Sequence, residues 1–169
     1  MATLNVTHTE SITLNGQEFG GTNTFSVSGI NNIYKRIVTC PANVDTTILR
    51  TGVSVDVTDS SMDVQNVKYI RVTNLDGSNS VNLNLQIDVT ESGSGASAAN
   101  ETATILLGAG ESFVMGTPHD SVAAYDADAS VQTTLHDLES ILIDPSANEV
   151  KLEVIAVSTY HEDRGLIIT

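Results

Sequence analysis

The sequence predicts an all-β fold, an antiparallel β-sandwich of jelly-roll type, and three observations support this prediction. About ten short strand-like segments follow one another at roughly regular spacing, with no long helical pattern between them. The apolar residues are mainly Val, Ile, Leu and Ala, and Thr, Ser and Asn are abundant. Turn-forming residues bound each segment. Because there is no internal repeat or linker, we expect residues 1–169 to form a single domain.

The first half of the chain contains short strand-like segments ended by Gly, Asn, Pro or Asp. They are Leu4–Val6, Ile12–Leu14, Thr24–Val27, Tyr34–Thr39, Thr46–Arg50 and Val53–Val57. Residues 1–21 are strand-prone yet poor in bulky core residues. We therefore consider residues 1–21 a candidate extended N-terminal arm that adds a strand to a neighbouring molecule. An ordinary first strand of the sandwich is the alternative.

The clearest strand pattern lies in the middle of the chain. Every odd position of Val81–Val89 is aliphatic and every even position is polar, as a strand with one buried face requires. Val67–Asn74 precedes it, and the Asp-Gly pair at residues 76–77 has turn chemistry. The sequence therefore predicts a hairpin from these two strands.

The second half continues the strand pattern after a small-residue loop at residues 91–100. Further strands are predicted at Glu101–Leu107, Ser112–Met115, Ser140–Ile143 and Glu149–Ser158. The loops at residues 108–110 and 144–148 have the composition of hairpin connections. Residues 126–138 are ambiguous, and we expect an irregular loop with room for one helical turn.

The charge of the chain disfavours two classes of partner. The net charge is −14, which opposes binding to nucleic-acid phosphates and to anionic membrane surfaces. The charge is also uneven: residues 1–90 have 8 acids and 5 bases (−3), and residues 91–169 have 13 acids and 2 bases (−11). If the chain docks on a neutral or negative scaffold, we expect the first half to face it.

The aromatic content disfavours a third class of partner. Trp is absent and aromatic residues make up 4%, which disfavours the stacking of sugars on exposed rings.

The sequence predicts no enzyme, and we assign no catalytic, cofactor-binding or metal-binding residue. No Gly-x-Ser-x-Gly motif is present, and residues 108–110 lack the lysine of a phosphate loop. Two acidic clusters have oxygen ligands suited to Ca²⁺, but neither matches a known calcium loop, so solvated acidic loops are the default. The four histidines do not have zinc-site spacing. The residues considered are His8, His119, His136 and His161, with Asp56, Asp59 and Asp63, and Asp126 and Asp128.

Two further features bear on cellular location. Cys40 is the only cysteine, so an intramolecular disulfide is excluded and we expect a buried thiol. The N-terminal residues have neither a basic region nor an apolar core typical of a signal peptide, and no stretch approaches the length of a membrane span. We therefore expect a soluble protein made in the cytoplasm.

The segment Val67-Lys-Tyr-Ile-Arg-Val-Thr-Asn-Leu-Asp76 resembles small virion structural proteins of tailed bacteriophages, notably those that infect marine bacteria and cyanobacteria. The resemblance extends over about residues 66–158. It includes the alternating strand Val81–Val89, the element Leu107-Gly-Ala-Gly-Glu-Ser-Phe113 and the strand Val150–Ala156. These motifs consist of strand and turn residues, and the resemblance implies no catalytic residue.

The resemblance implies a non-enzymatic capsid decoration or cement protein on the outer surface of the virion. We expect a homotrimer that binds the major capsid protein where capsid subunits meet. The first alternative is a tail or baseplate component, such as an adaptor or a fibre-attachment domain. The second alternative is a carbohydrate-binding or host-recognition module, which would need exposed aromatic rings along a groove.

Overall fold

The computed structural model describes residues 2–52, 61–88, 101–124 and 131–159. These residues form strands and connecting loops, and they contain no helix. The strands are β1 (Ala2–Glu10), β2 (Thr13–Leu14), β3 (Gln17–Glu18), β4 (Gly21–Cys40), β5 (Thr46–Gly52), β6 (Ser61–Asp63), β7 (Val67–Asn74), β8 (Val81–Asp88), β9 (Glu101–Leu107), β10 (Ser112–Met115), β11 (Asp137–Asp144) and β12 (Val150–Thr159).

The strands build two five-stranded sheets and one small hairpin. The first sheet has the order β1-β4-β12-β7-β10, and the second has the order β6-β5-β11-β8-β9. The hairpin consists of β2 and β3. Neighbouring strands are antiparallel except β5 and β6, which are parallel. The prediction of an all-β antiparallel sandwich is confirmed.

The core lies between the two sheets and follows directly from the alternating pattern. Odd residues of β8 are buried, and the even residues 152, 154 and 156 of β12 are fully buried opposite them. The largest completely buried side chains include Leu83, Ile141 and Leu152. Burial of each such side chain stabilises the fold by about 1.5 to 3 kcal/mol. The main cluster contains only residues from Tyr34 onward.

Three predicted hairpins are wrong, because the strands concerned lie in different sheets. β7 belongs to the first sheet and β8 to the second, so the loop at residues 75–80 crosses between sheets. The loops at residues 108–110 and 144–148 also cross between the sheets. A hairpin and a crossing of this kind have similar loop lengths and similar turn residues. Loop composition therefore does not distinguish pairing within a sheet from a turn between sheets.

The loop at residues 75–80 shows how turn residues serve such a crossing. The Asp76 carboxylate accepts hydrogen bonds from the backbone N–H groups of Ser78 (2.8 Å) and Asn79 (2.7 Å). These backbone hydrogen bonds hold the pKa of Asp76 below its usual value. The Asp-Gly chemistry identified in the sequence is thus present, but it closes a turn from one sheet to the other.

The strand boundaries differ from the predicted ones at a few places. β4 is one continuous strand of 20 residues and contains both Thr24–Val27 and Tyr34–Thr39. β11 begins at Asp137, inside the segment predicted to be irregular, and residues 131–136 contain no helical turn. The predicted strand Val53–Val57 and the small-residue loop at 91–100 lie outside the described residues.

Candidate interaction surface

The N-terminal part of the chain forms a two-stranded ribbon, which we define as residues 2–29. β1 pairs with residues 21–30 of β4, and β12 pairs with residues 30–40 of the same strand. The two partners of β4 therefore occupy successive halves of it, and the ribbon continues past the end of β12. At about 3.4 Å per residue, the nine residues of β1 span about 30 Å.

The ribbon is attached to the sandwich by a small apolar cluster at its base. Gly29 has a φ of +77°, a conformation suited to glycine, and the pairing register of β1 with β4 shifts at this residue. Val6 and Ile30 are buried against Tyr69 and Val157, and the Phe25 ring lies 6.1 Å from the Tyr69 ring. This contact holds the ribbon on the outer face of the first sheet.

Beyond this base the ribbon is exposed. We call residues 11–20 the tip. They comprise the hairpin of β2 and β3 with its flanking residues, and all ten are exposed. Asn15 and Gly16 both have positive φ, 51° and 77°, which is the geometry of a type I′ turn. A two-stranded ribbon of this kind is only marginally stable in water when nothing covers it.

The tip presents an apolar face. Ile12, Leu14 and Phe19 are 56%, 58% and 60% exposed. Ile12 and Leu14 are two residues apart on one strand, and the Phe19 N–H donates to the Ile12 carbonyl (2.9 Å), so Phe19 lies opposite Ile12. The three side chains therefore share one face of the hairpin, and Thr13 and Glu18 share the other.

Glu18 organises this tip through its carboxylate. One oxygen accepts hydrogen bonds from the N–H of Ile12 (3.0 Å) and of Gly20 (3.1 Å), and the other accepts one from the Thr13 hydroxyl (2.9 Å). The Thr13 hydroxyl and these backbone groups hold the pKa of Glu18 below its usual value. The apolar face of the tip is thus preorganised rather than loose.

A second exposed surface lies on the outer face of the first sheet, where β4, β12 and β7 run side by side. Ile33 and Ile37 on β4 are 61% and 64% exposed, which is high for large apolar side chains on a sheet. We define the outer sheet face by five residues that the strand register places on this side: Ile33, Lys35, Ile37, Arg71 and Glu153.

The outer sheet face is locally basic on an acidic protein. Glu153 lies between two bases: Lys35 Nζ is 3.2 Å from one carboxylate oxygen, and Arg71 forms an ion pair with the other. Lys35 is the main reason that the pKa of Glu153 is lowered. Lys151 continues the same face along β12. Three bases and one acid give this face a local charge of +2.

The outer face of the second sheet contains a shallow groove of about 250 Å³. Its lining consists of amide, hydroxyl and carboxylate side chains with one leucine: Asp45, Asn82, Asn84, Gln86, Thr102, Thr104, Leu142 and Asp144. Asn84 Nδ2 donates to the Thr104 hydroxyl (3.1 Å), while Asn84 Oδ1 has no partner among the described residues. The residues described along the groove include no aromatic ring, the side chain on which sugars stack.

One cluster of titratable residues has the donor atoms of a metal site. His119, Asp120 and Asp137 each place a ligand atom within 4.8 Å of the others. His119 Nδ1 lies 2.7 Å from Asp137 Oδ1, which also accepts the Asp120 N–H (2.8 Å), and His119 Nε2 lies 3.3 Å from Asp120 Oδ2. These contacts fasten residues 119–120 to the start of β11. His119 Nε2 thus lies against a carboxylate. In the part of the chain that the structure describes, the hydroxyl of Ser121 has no hydrogen-bond partner.

The sequence did not reveal this cluster, because Asp137 follows Asp120 by 17 residues and the three residues lack a recognised spacing. The other histidines are separate: His8 is exposed on β1, His136 lies in a short bridge with Val122, and His161 lies outside the described residues. Of the acidic residues considered for calcium, Asp63 accepts hydrogen bonds from the N–H of Gln65 (3.1 Å) and the side chain of Asn66 (2.9 Å). Asp56, Asp59, Asp126 and Asp128 lie outside the described residues.

The structure gives structural roles to the remaining residues considered in the sequence. Cys40 is completely buried in the main core, and burial raises the pKa of its thiol. Glu111 follows the turn at residues 108–110, and its carboxylate accepts a hydrogen bond from the Gly108 N–H (2.8 Å). Among the aromatic residues, Phe19 and Phe25 on the ribbon are exposed, and Tyr69 is buried.

The class that the fold and these surfaces define is an antiparallel β-sandwich with a projecting two-stranded ribbon. Searches with protein-family models, curated proteins and solved structures found no match to the chain. No helix in the described part of the chain is long and apolar enough to cross a membrane.

Proposed function

We propose that this chain is a non-enzymatic structural protein of a tailed-phage virion that works by binding other protein surfaces. The ribbon carries this proposal. This 28-residue segment exposes apolar side chains at its tip, where an ordered turn fixes their positions. Such a ribbon gains stability when a partner covers it.

The strand order supports the finer description of the sandwich as a jelly roll. Eight strands remain from β4 onward when the short β6 is left out. β4, β7, β10 and β12 lie in the first sheet, and β5, β8, β9 and β11 lie in the second. Eight strands in two Greek keys of this kind form the jelly roll found in viral capsid domains. Because a fold by itself does not define a function, this order supports the proposal only together with the ribbon.

Within the virion we place the protein on the outer capsid surface, as a homotrimeric decoration or cement protein bound to the major capsid protein where subunits meet. This role rests on the resemblance of residues 66–158 to small phage virion proteins. The acidic net charge favours the outside of the shell over its DNA-filled interior. A ligand that binds only the assembled shell stabilises it by mass action, about 2.7 kcal/mol per site at a hundredfold excess over Kd.

The test is the copy number of this chain in purified particles of the phage that encodes it, measured by quantitative mass spectrometry against the major capsid protein. A copy number comparable with that of the capsid protein supports decoration. A few copies per particle would favour the tail or baseplate alternative, and absence from the particle would overturn the virion role.

A further inference from the structure

We infer that the tip of one copy binds the outer sheet face of a second copy. This inference rests on the proposed role as a homo-oligomeric structural protein and names the contact that builds the oligomer. Its starting point is that one chain has two exposed apolar surfaces, Ile12, Leu14 and Phe19 on the tip and Ile33 and Ile37 on the sheet. Exposures of 56% to 64% show that neither surface covers the other within one chain.

The charges of the two surfaces are complementary. The tip contains one acid, Glu18, and no lysine or arginine, so its charge is −1, and Glu10 just before it brings the charge of the ribbon to −2. The outer sheet face with Lys151 has a charge of +2. On a protein of net charge −14, two copies repel each other on average, so a contact between copies is favoured where charges of opposite sign meet. The acidic ribbon and the basic outer sheet face are such a pair, and each exposes apolar side chains.

The tip is also ordered before any partner binds. The organised turn and the Glu18 hydrogen bonds fix the apolar face before contact, so little conformational entropy is lost on binding.

The geometry of this contact determines how copies associate. The tip and the outer sheet face are different surfaces, and the contact is heterologous when each copy gives its tip to the next copy and receives a tip from the previous one. Heterologous contacts produce closed rings when the rotation per step closes, and we expect a ring of three. A contact through the free edge of β1 with its own copy would instead be two-fold symmetric and would stop at a dimer.

The test uses the full-length chain and two single substitutions, Phe19→Asp on the tip and Ile37→Asp on the outer sheet face. The unaltered chain is expected to form a closed oligomer by native mass spectrometry and light scattering. Each substitution is expected to weaken assembly by about tenfold or more. Leu106→Asp is the matched control, because Leu106 is 66% exposed on β9 of the other sheet and assembly should not change.

A mixing experiment separates the heterologous contact from a two-fold one. The Phe19→Asp chain keeps an intact outer sheet face, and the Ile37→Asp chain keeps an intact tip. An equimolar mixture is therefore expected to form a one-to-one dimer through the single intact contact. Circular dichroism shows whether each variant is folded. Lys35→Glu is a second variant that leaves the apolar residues intact, and it should weaken assembly, with partial recovery when combined with Glu10→Lys.

Three results would overturn the contact: a monomeric wild-type chain, an oligomer that survives both aspartate substitutions, or a mixture that forms no dimer. Each can be separated from failure of the proposed function. A monomeric chain found at high copy number in virions would contradict this contact alone, whereas an intact oligomer absent from virions would contradict the virion role alone.

Discussion

At the residue scale, Asn74 connects the end of one strand to two loops. It is completely buried at the end of β7, and its amide donates to the carbonyl groups of Asn79 (2.8 Å) and Gly108 (3.0 Å). Its side-chain oxygen accepts the Asp76 N–H (3.0 Å). A buried polar side chain is stable only when its hydrogen bonds are made, and here they also fix two crossings between the sheets.

We expect Asn74→Ala to reduce the free energy of unfolding by about 2 to 3 kcal/mol, since it leaves half-buried carbonyl groups without their amide donor. Urea denaturation should show a lower midpoint with an unchanged slope. Asn148→Ala is the control, because the exposed Asn148 donates one hydrogen bond to Asn79 Oδ1 (3.0 Å), and its loss should cost less than about 0.5 kcal/mol. Equal effects of the two substitutions would contradict this account.

At the element scale, the hairpin of β2 and β3 depends on a charged carboxylate. Its hydrogen bonds lower the pKa of Glu18, so the folded tip favours the ionised form. The contribution of these hydrogen bonds is therefore complete above the ordinary pKa of a glutamate, about 4.3, and is lost as the pH falls through the lower pKa of the folded tip. The tip is an acid-sensitive part of a fold whose core has no such dependence on Glu18.

We expect the amides of Ile12 and Gly20 to lose protection from hydrogen exchange, relative to the core amides, as the pH falls below the ordinary glutamate pKa. The Glu18→Gln chain should show this loss already at neutral pH, because a neutral amide is a weaker acceptor. Exchange followed by nuclear magnetic resonance measures both effects. If these two amides are as well protected at neutral pH in the Gln variant as in the unaltered chain, Glu18 does not have this role.

At the scale of the whole molecule, the ribbon and the sandwich are separable. The main core contains residues from Tyr34 onward, and the ribbon is attached through the smaller cluster of Val6, Ile30, Tyr69 and Val157. Assembly and folding therefore depend on different parts of the chain.

We expect a chain without residues 2–29 to unfold cooperatively on heating. Its stability should decrease by about 3 kcal/mol, because Tyr69 and Val157 lose the ribbon that covers them. Calorimetry measures this change, and the same chain should lose binding to capsids and to its own copies. Full capsid binding by this chain would eliminate the ribbon as an arm.

The sequence predicted the strands well because alternation depends on local burial, and Val81–Asp88 and Val67–Asn74 agree closely with the structure. It did not predict which strands pair, since pairing depends on contacts distant in sequence. Residues 1–21 were considered as an arm from their lack of bulky core residues. The part played by residues 22–29 was not apparent, because Phe25 and Val27 have the pattern of an ordinary strand. The outer sheet face could not be predicted from the sequence, because its residues come together only through the pairing of β4, β12 and β7.

The order of the strands also determines when each part of the protein can fold during synthesis. β12 lies between β4 and β7, and β11 lies between β5 and β8, so each sheet receives its central strand last. The ribbon can pair as soon as residue 30 has left the ribosome. The residues of the ribbon are therefore complete long before the sheet that supports them, and pairing between distant strands makes the remaining folding slow. Chains released before residue 137 would lack the central strand of both sheets.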